Sequence, residues 1–236
     1  MSSTASTPAA DIPEYRYEVP ADAADLLLIR HGESAPAVPG APFPMLDGHG
    51  DPELHTVGHE QALRIADRLR GEPIAAIYVS SLRRTAQSAA PLAERLGLTP
   101  IADPDLRESH LGDWEGNVWR VRIAEGHPLA MRVIQEQRWD IMPGAESERA
   151  FAERVRRSLT TIAERHRGQL VAIFTHGGVI GQAIADAARS KPYPFNASSN
   201  ASISQIVVSE PGWRLRRFND TTHLTPGFSL AASPVS

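Results

Sequence analysis

Residues 24–34 read ADLLLIRHGES, and this stretch decides the class of fold. Its first part, residues 24–30, is a short and nearly continuous apolar run that Gly32 ends. Such a run predicts a strand buried on both faces, because a strand with one solvent-exposed face would alternate polar and apolar side chains. Two later runs of the same kind, residues 74–79 and 170–174, predict two more buried strands.

Helical patterns separate these strands. The predicted helices cover residues 56–70, 82–96, 146–166 and 177–189. Residues 203–208 and 213–218 are predicted late strands and are candidates for antiparallel pairing. Alternating strands and helices predict an α/β fold, a three-layer αβα sandwich whose central, mostly parallel sheet carries helices on both faces.

The two ends of the chain differ in composition from its middle. Residues 1–22 are rich in Ser, Thr, Ala and Pro and are predicted to be a flexible leader, and residues 229–236 a flexible tail, around one domain at 23–228. The leader lacks the basic and apolar regions of a secretion signal. No apolar run reaches the roughly 20 residues of a membrane span. We therefore expect a cytoplasmic protein without a membrane partner.

Composition limits the chemistry. The chain has no cysteine, which excludes enzymes with a thiolate nucleophile. Its 24 basic and 28 acidic side chains argue against a nucleic-acid partner. They do not argue against an anionic substrate, because charges beyond about 8 Å are screened and a local arginine cluster outweighs the net charge.

Polar segments follow the three predicted buried strands. They read RHGES at 30–34, SSLRRT at 80–85 and THGG at 175–178. If the strands are parallel neighbours, these segments meet at the carboxyl edge of the sheet, where such folds bind ligands. Arginine offers a planar fork to phosphate, and glycine lets backbone approach an anion. A neutral imidazole can attack phosphorus, and nearby arginines disfavour its protonated form.

A fourth segment, DLRESHLGDWEG at 105–116, supplies carboxyl groups. A leaving alkoxide needs a proton and an attacking water must lose one, and one carboxyl group can do both in turn. The candidates by residue type are Asp105, Glu108, Asp113 and Glu115. Their spacing does not choose among them.

Taken in order, these motifs resemble the histidine phosphatase superfamily, which includes the cofactor-dependent phosphoglycerate mutases. The resemblance is closest to its bacterial phosphatase branch, spans about residues 24–224, and rests on seven ordered motifs, from Arg30-His31-Gly32 to Asn219-Asp220. It implies the phosphoglycerate mutase-like fold and a phosphoryl-transfer chemistry that uses neither a metal nor a cofactor.

The resemblance also implies roles for individual residues. His31 would form a phosphohistidine, and Glu108 would protonate the leaving oxygen and then activate water. The implied phosphate-binding side chains are Arg30, Arg84 and His176. The implied supporting residues are Gly32, Ser34 and Gly177.

Two departures from the mutases favour water as the phosphoryl acceptor. Mutases usually carry Trp-Asn soon after the first motif, whereas this chain has APAVP at 35–39, and its segment between Glu115 and Pro143 is short. We therefore expect a phosphomonoesterase acting on a small phosphorylated metabolite. Mutase-type transfer and a catalytically weak phosphate-binding module remain alternatives. The sequence does not identify the substrate or the role of the 35–55 loop. It also leaves open whether the protein forms a homodimer, which is common for this fold class.

Other patterns are weaker. His55 and His59 have the i, i+4 spacing of a metal pair, but no carboxylate completes the site, and His55 receives no role. Asp103 and Asp105 are spaced as in aspartyl-phosphate enzymes but do not follow a clear buried strand. The tryptophans and arginines between 114 and 139, Arg120 among them, could shape a pocket, but we favour their interpretation as core aromatics and exposed helix charges.

Overall fold

The structure, a computed structural model, describes residues 18–210 and 212–224. The strands are β1 Ala24–Arg30, β2 Met45–Leu46, β3 His49–Gly50, β4 Ile74–Val79, β5 Ile101–Ala102, β6 Leu170–Thr175, β7 Ile203–Ser209 and β8 Gly212–Asp220. The α-helices are α1 Thr56–Leu69, α2 Arg83–Leu96, α3 Val118–Ala124, α4 Pro128–Glu136, α5 Glu148–Arg165 and α6 Gly177–Ala188. The predicted tail and residues 1–17 of the predicted leader lie outside the described residues.

Six strands form one sheet in the order β5-β4-β6-β1-β7-β8. The strands β5, β4, β6 and β1 are parallel, whereas β7 runs antiparallel to β1 and β8 antiparallel to β7. The prediction of a mostly parallel sheet with late antiparallel strands is confirmed. Because β1 lies between β6 and β7, its backbone is paired on both sides, as expected for a continuous apolar run.

Alternate side chains of β1 enter two separate cores. Leu26 and Leu28 pack with α5 and α6 on one face of the sheet. Leu27 and Ile29 pack with α1 and α2 on the other face. Each such burial contributes about 1.5–3 kcal/mol relative to exposure. This arrangement is the predicted three-layer sandwich.

Helix ends follow local capping. The prediction started α5 at residue 146, but the helix begins at Glu148 because the Ser147 hydroxyl accepts the Ala150 N–H at 3.2 Å. α6 ends at Ala188 because Arg189 adopts a left-handed conformation with φ 52°.

Two stretches to which the sequence analysis assigns no helix or strand contain structure. The 33–55 loop holds the small β2–β3 hairpin, and residues 117–142 hold the short helices α3 and α4. These helices enclose a small core of their own: Trp114, Trp119, Ala130, Val133 and Met142. No helix within 18–210 or 212–224 is long and apolar enough to cross a bilayer.

Candidate active site

Three adjacent parallel strands, β4, β6 and β1, end at one edge of the sheet and deliver the predicted residues there. His31 follows β1, Ser80 follows β4, and His176 follows β6. The His31 N–H donates to the Thr175 carbonyl at 3.0 Å, which ties two of the strand ends together. The centroids of the His31 and His176 rings are 5.1 Å apart. The predicted convergence of the motifs is therefore present.

The His31 imidazole is oriented by its own turn. Its Nδ1 lies 2.7 Å from the Gly32 carbonyl oxygen. A carbonyl only accepts, so Nδ1 carries the proton and Nε2 keeps its lone pair in the neutral ring. Burial lowers the pKa of His31 well below its usual value, and the charges of Arg84 and Arg30 lower it further. The ring is therefore neutral at neutral pH.

Two buried guanidinium groups stand beside this ring. Arg30 donates to the Ser198 carbonyl, and Arg84 donates to the Gly50 carbonyl at 3.0 Å. Burial lowers the pKa of Arg30 and of Arg84 to about 10, and the Glu108 carboxylate opposes that shift. Both side chains stay charged at neutral pH, which creates a local positive site in an acidic protein.

Arg83 and Arg84, the basic pair at the start of α2, have different partners. Arg83 donates its N–H and its Nε to the buried Asp51 carboxylate at 2.8 and 2.9 Å. Asp51 thus offsets one of the two charges that oppose the helix dipole. Only Arg84 lines the cavity. The hypothesis that a bound anion explains this pair therefore applies to Arg84 alone.

His176 is fully buried at the edge of the same site. Its Nε2 lies 2.9 Å from the Ser80 hydroxyl oxygen. Its Nδ1 is buried and has no hydrogen-bond partner among the described residues. Burial, followed by the charges of Arg84, His31 and Arg30, lowers the pKa of His176 well below its usual value.

Glu108 lines the cavity together with His31 and Arg84. Its Oε2 accepts the Gly178 N–H at 3.0 Å, in the first turn of α6. A helix N-terminus favours a carboxylate by about 0.3–1 kcal/mol. A Cβ on residue 178 would lie 2.2 Å from Oε1, so glycine there makes room for the carboxyl group.

The other candidate carboxyl groups are committed elsewhere. Asp105 is ion-paired with an arginine of α5 at 2.8 Å. Asp113 is exposed on the short turn that precedes Glu115. Glu115 lines the cavity but accepts the Gly50 N–H at 2.7 Å, which holds the β2–β3 hairpin. Geometry therefore favours Glu108 as the acid, the choice that spacing alone left open.

Arg154 of α5 holds the backbone around Glu108. It donates to the carbonyls of Asp105, Arg107 and Glu108 at 2.7–2.8 Å. It also forms two hydrogen bonds of 2.8 Å with the Glu146 carboxylate. The sequence analysis assigns Arg154 no role, and in the structure its side chain holds the backbone of the segment that contains Glu108.

The predicted supporting residues act through packing. A Cβ on Gly32 would lie 2.5 Å from the Gly58 carbonyl oxygen, and one on Gly177 would lie 2.9 Å from the Asn196 carbonyl oxygen. Ser34 is buried and its hydroxyl accepts a hydrogen bond from an arginine of α3 at 2.9 Å. These contacts fix the loops that carry the two histidines.

That arginine, Arg120, lies at the site, although the sequence favours the interpretation as an exposed helix charge over a place in a pocket. It also donates to the Ala35 carbonyl at 3.0 Å, lies over the Phe43 ring at 5.3 Å and lines the cavity. Its charge contributes to lowering the pKa of His31. The interpretation as an exposed helix charge is wrong for Arg120. A helix of seven residues gives less than two turns of periodicity, too little to reveal the inward face.

The cavity has a volume of about 150 Å³ and continues from the polar site to an aromatic wall. The wall consists of Phe43, Trp119, Trp139, Phe151 and Tyr193. Trp119 and Trp139 are packed edge to face at 4.9 Å. The segments 35–55 and 117–142 both supply lining residues.

The residues that suggested a metal site or an aspartyl-phosphate site lie outside the candidate active site. His55 and His59 are exposed, and within residues 18–210 and 212–224 no cluster of three His, Asp or Glu side chains has the arrangement of a metal site. Asp103 accepts the Asp105 N–H at 2.9 Å and the Ser158 hydroxyl at 2.6 Å, as a structural cap.

Comparison with known proteins identifies the family. A model of the histidine phosphatase superfamily (branch 1) matches residues 26–221, which include every predicted site residue. Phosphoglycerate mutase-like protein 4 of Arabidopsis thaliana is 32% identical over 208 residues, 86% of this chain and 88% of the relative. The metal-independent phosphoserine phosphatase of the same plant is 29% identical over 212 residues, 88% of this chain and 86% of the relative.

A solved structure is similar as well. A mycobacterial glucosyl-3-phosphoglycerate phosphatase is 29% identical, with a TM-score of 0.69 over 84% of this chain and all of the other. The similar proteins thus include both phosphatases and a mutase-like protein.

Proposed function

We propose, because this chain belongs to the histidine phosphatase superfamily (branch 1), that it is a metal-independent phosphomonoesterase acting on a small phosphorylated metabolite. His31 would be the nucleophile and Glu108 the general acid and base. Arg30, Arg84 and His176 would bind the transferred phosphoryl group.

In the first step, Nε2 of His31 attacks phosphorus and the ester P–O bond breaks. The leaving oxygen takes a proton from the Glu108 carboxyl group. The phosphorylated ring keeps its proton on Nδ1, where the Gly32 carbonyl accepts it. The charge that develops on the phosphoryl oxygens is matched by Arg30 and Arg84, which stay charged despite burial.

In the second step, a water attacks phosphorus and the P–N bond breaks. The Glu108 carboxylate takes the water's proton, inorganic phosphate forms, and His31 returns to its neutral state. A carboxyl group that gives a proton in one step and accepts one in the next is restored after each turnover.

The observation that carries the proposal is the state of the His31 ring. Its proton is held on Nδ1 by a backbone carbonyl, and its pKa is lowered by burial and two arginines, so Nε2 is unprotonated and stands near two guanidinium groups. A merely structural histidine does not need that combination.

Mutase-type transfer is the second candidate, favoured by the similarity to a phosphoglycerate mutase-like protein. It requires room for a second hydroxy acid as acceptor. The chain has APAVP at 35–39 in place of the Trp-Asn that mutases usually carry after the first motif. This departure supports water as the acceptor.

The test is turnover and labelling in EDTA. We expect hydrolysis of a generic aryl phosphate and transfer of ³²P from a labelled substrate to the protein, in an acid-labile and base-stable form typical of phosphohistidine. His31→Ala should abolish both. His59→Ala is the matched control, since His59 is exposed on α1, and should retain both.

Three results would contradict the proposal. Turnover only after a metal is added would indicate a metal hydrolase. Phosphate binding without turnover of a broad panel of esters would indicate a binding module. Efficient transfer to a phosphoglycerate, dependent on a bisphosphate primer, would identify a mutase.

A further inference from the structure

A chain of hydroxyl groups beneath His176 determines which ring nitrogen carries the proton. The Thr85 hydroxyl oxygen lies 2.8 Å from the Leu82 carbonyl oxygen and 3.0 Å from that of Ser80. Carbonyl oxygens only accept, so the single Thr85 hydroxyl proton is donated to one of them. The Thr85 oxygen is then an acceptor for any further partner.

That partner is the Ser80 hydroxyl, 3.0 Å away. Ser80 must donate its only proton to Thr85, and it accepts the Leu82 N–H at 3.3 Å. The remaining contact of Ser80, with Nε2 of His176 at 2.9 Å, then requires a proton on Nε2. Neutral His176 consequently has a bare lone pair on Nδ1, the buried atom that has no partner among the described residues.

We propose that His176 takes up a proton at Nδ1 when a phosphate group binds, and that Ser80 and Thr85 are positioning residues that enforce this linkage. The inference rests on the phosphate site of the proposed function. A lone pair repels an anionic phosphate oxygen, whereas an N–H donates to it. The proton comes from solvent or from a monoanionic ester and becomes shared between Nδ1 and the bound anion.

The charges that face His176 explain why the proton arrives with the ligand. Burial disfavours a proton on His176, and so do the charges of Arg84, on α2, and Arg30, at the end of β1, while the neighbouring imidazoles are those of His31 and His49. Glu108 accepts the amide two residues beyond His176, and the other carboxyl groups that line the cavity are Glu115, Glu146 and Glu148. The negative charge of a bound dianion outweighs these positive charges and raises the pKa of His176.

The test uses sulfate, a dianion whose own charge is constant near neutral pH. Isothermal calorimetry at pH 7 in buffers of different ionisation enthalpy counts the protons taken up per sulfate bound. ¹⁵N NMR of the free protein identifies the protonated nitrogen of His176, and we expect a proton on Nε2 and none on Nδ1. The NMR result needs no variant.

Thr85→Val removes the acceptor for Ser80, so the Ser80 hydroxyl turns and donates to Nε2 of His176. The ring then carries its proton on Nδ1 and binds the anion without further protonation. We expect proton uptake to fall by about one per sulfate, and the ¹⁵N pattern to reverse. Thr85→Ser is the conservative control that should restore both.

Two outcomes would overturn this inference and leave the proposed function standing. One is a proton on Nδ1 in the free wild type, and the other is equal proton uptake by the wild type and Thr85→Val. Failure of the wild type to bind sulfate, or sulfate that does not compete with an aryl phosphate, would overturn the phosphate site itself and with it the proposed function.

Discussion

Replacing Gly178 by alanine should displace the Glu108 carboxyl group without unfolding the protein. The new Cβ would lie 2.2 Å from Oε1 of Glu108, so this oxygen must retreat by about 1 Å to reach ordinary contact. The obstacle is the end of a flexible side chain, and alanine is preferred over glycine in a helix by up to about 1 kcal/mol. We therefore expect a folded protein with a misplaced acid.

A misplacement of about 1 Å costs roughly 10²-fold, or about 2.7 kcal/mol, when the group acts in the transition state. The loss should depend on the leaving group. We expect kcat/KM to fall about 100-fold for an alkyl phosphate, whose alkoxide needs a proton. We expect it to fall far less for 4-nitrophenyl phosphate, whose phenolate leaves unprotonated.

The reasoning is checked with Glu108→Gln and the double variant. Glu108→Gln should lower kcat/KM for the alkyl ester by roughly 10²–10⁴. If Gly178→Ala acts through this carboxyl group, the double variant should be no slower than Glu108→Gln alone. Additive losses, equal losses for both esters, or wild-type rates in Gly178→Ala would refute the assignment of the acid.

Two further predictions concern pH dependence and stability. Arg120→Met removes a cation that lowers the pKa of His31, so this pKa should rise and the acidic limb of the kcat/KM profile should move to higher pH; an unmoved limb would show that Arg120 does not influence the nucleophile. Gly58→Ala should lower the free energy of unfolding by about 1–3 kcal/mol in urea, because its Cβ would lie 2.1 Å from the Glu33 carbonyl oxygen. Gly71→Ala, where nothing lies within 4 Å, should leave it nearly unchanged, and equal losses in both variants would contradict the packing argument.

The central sheet could be predicted because its strands are buried on both faces. The apolar runs at 26–29, 74–79 and 170–174, within β1, β4 and β6, have no polar interruption, which is typical of strands in a parallel sheet covered on both faces. Because the carboxyl ends of parallel strands meet at one edge of the sheet, the sequence also predicts that the two histidines lie together. Strand β5 has two exposed residues, too few to form a pattern.

The surroundings of the site could not be predicted in the same way. Arg83 and Arg84 are adjacent and identical in type, and only the fold reveals that Asp51 pairs with the first. Arg120 reaches the site because α3 is docked by a small aromatic core, which depends on contacts between distant residues. The choice of Glu108 among four carboxyl groups likewise depended on which of them meets the end of α6.

The aromatic core beneath α3 and α4 gives the protein a built-in optical reporter. The protein has four tryptophans. Trp114, Trp119 and Trp139 belong to that core and line the cavity, whereas Trp213 lies in β8 of the main sheet. Indole emission should therefore respond mainly to events at the mouth of the site. Quenching or a spectral shift on adding an anion would follow occupancy in real time, with no label attached.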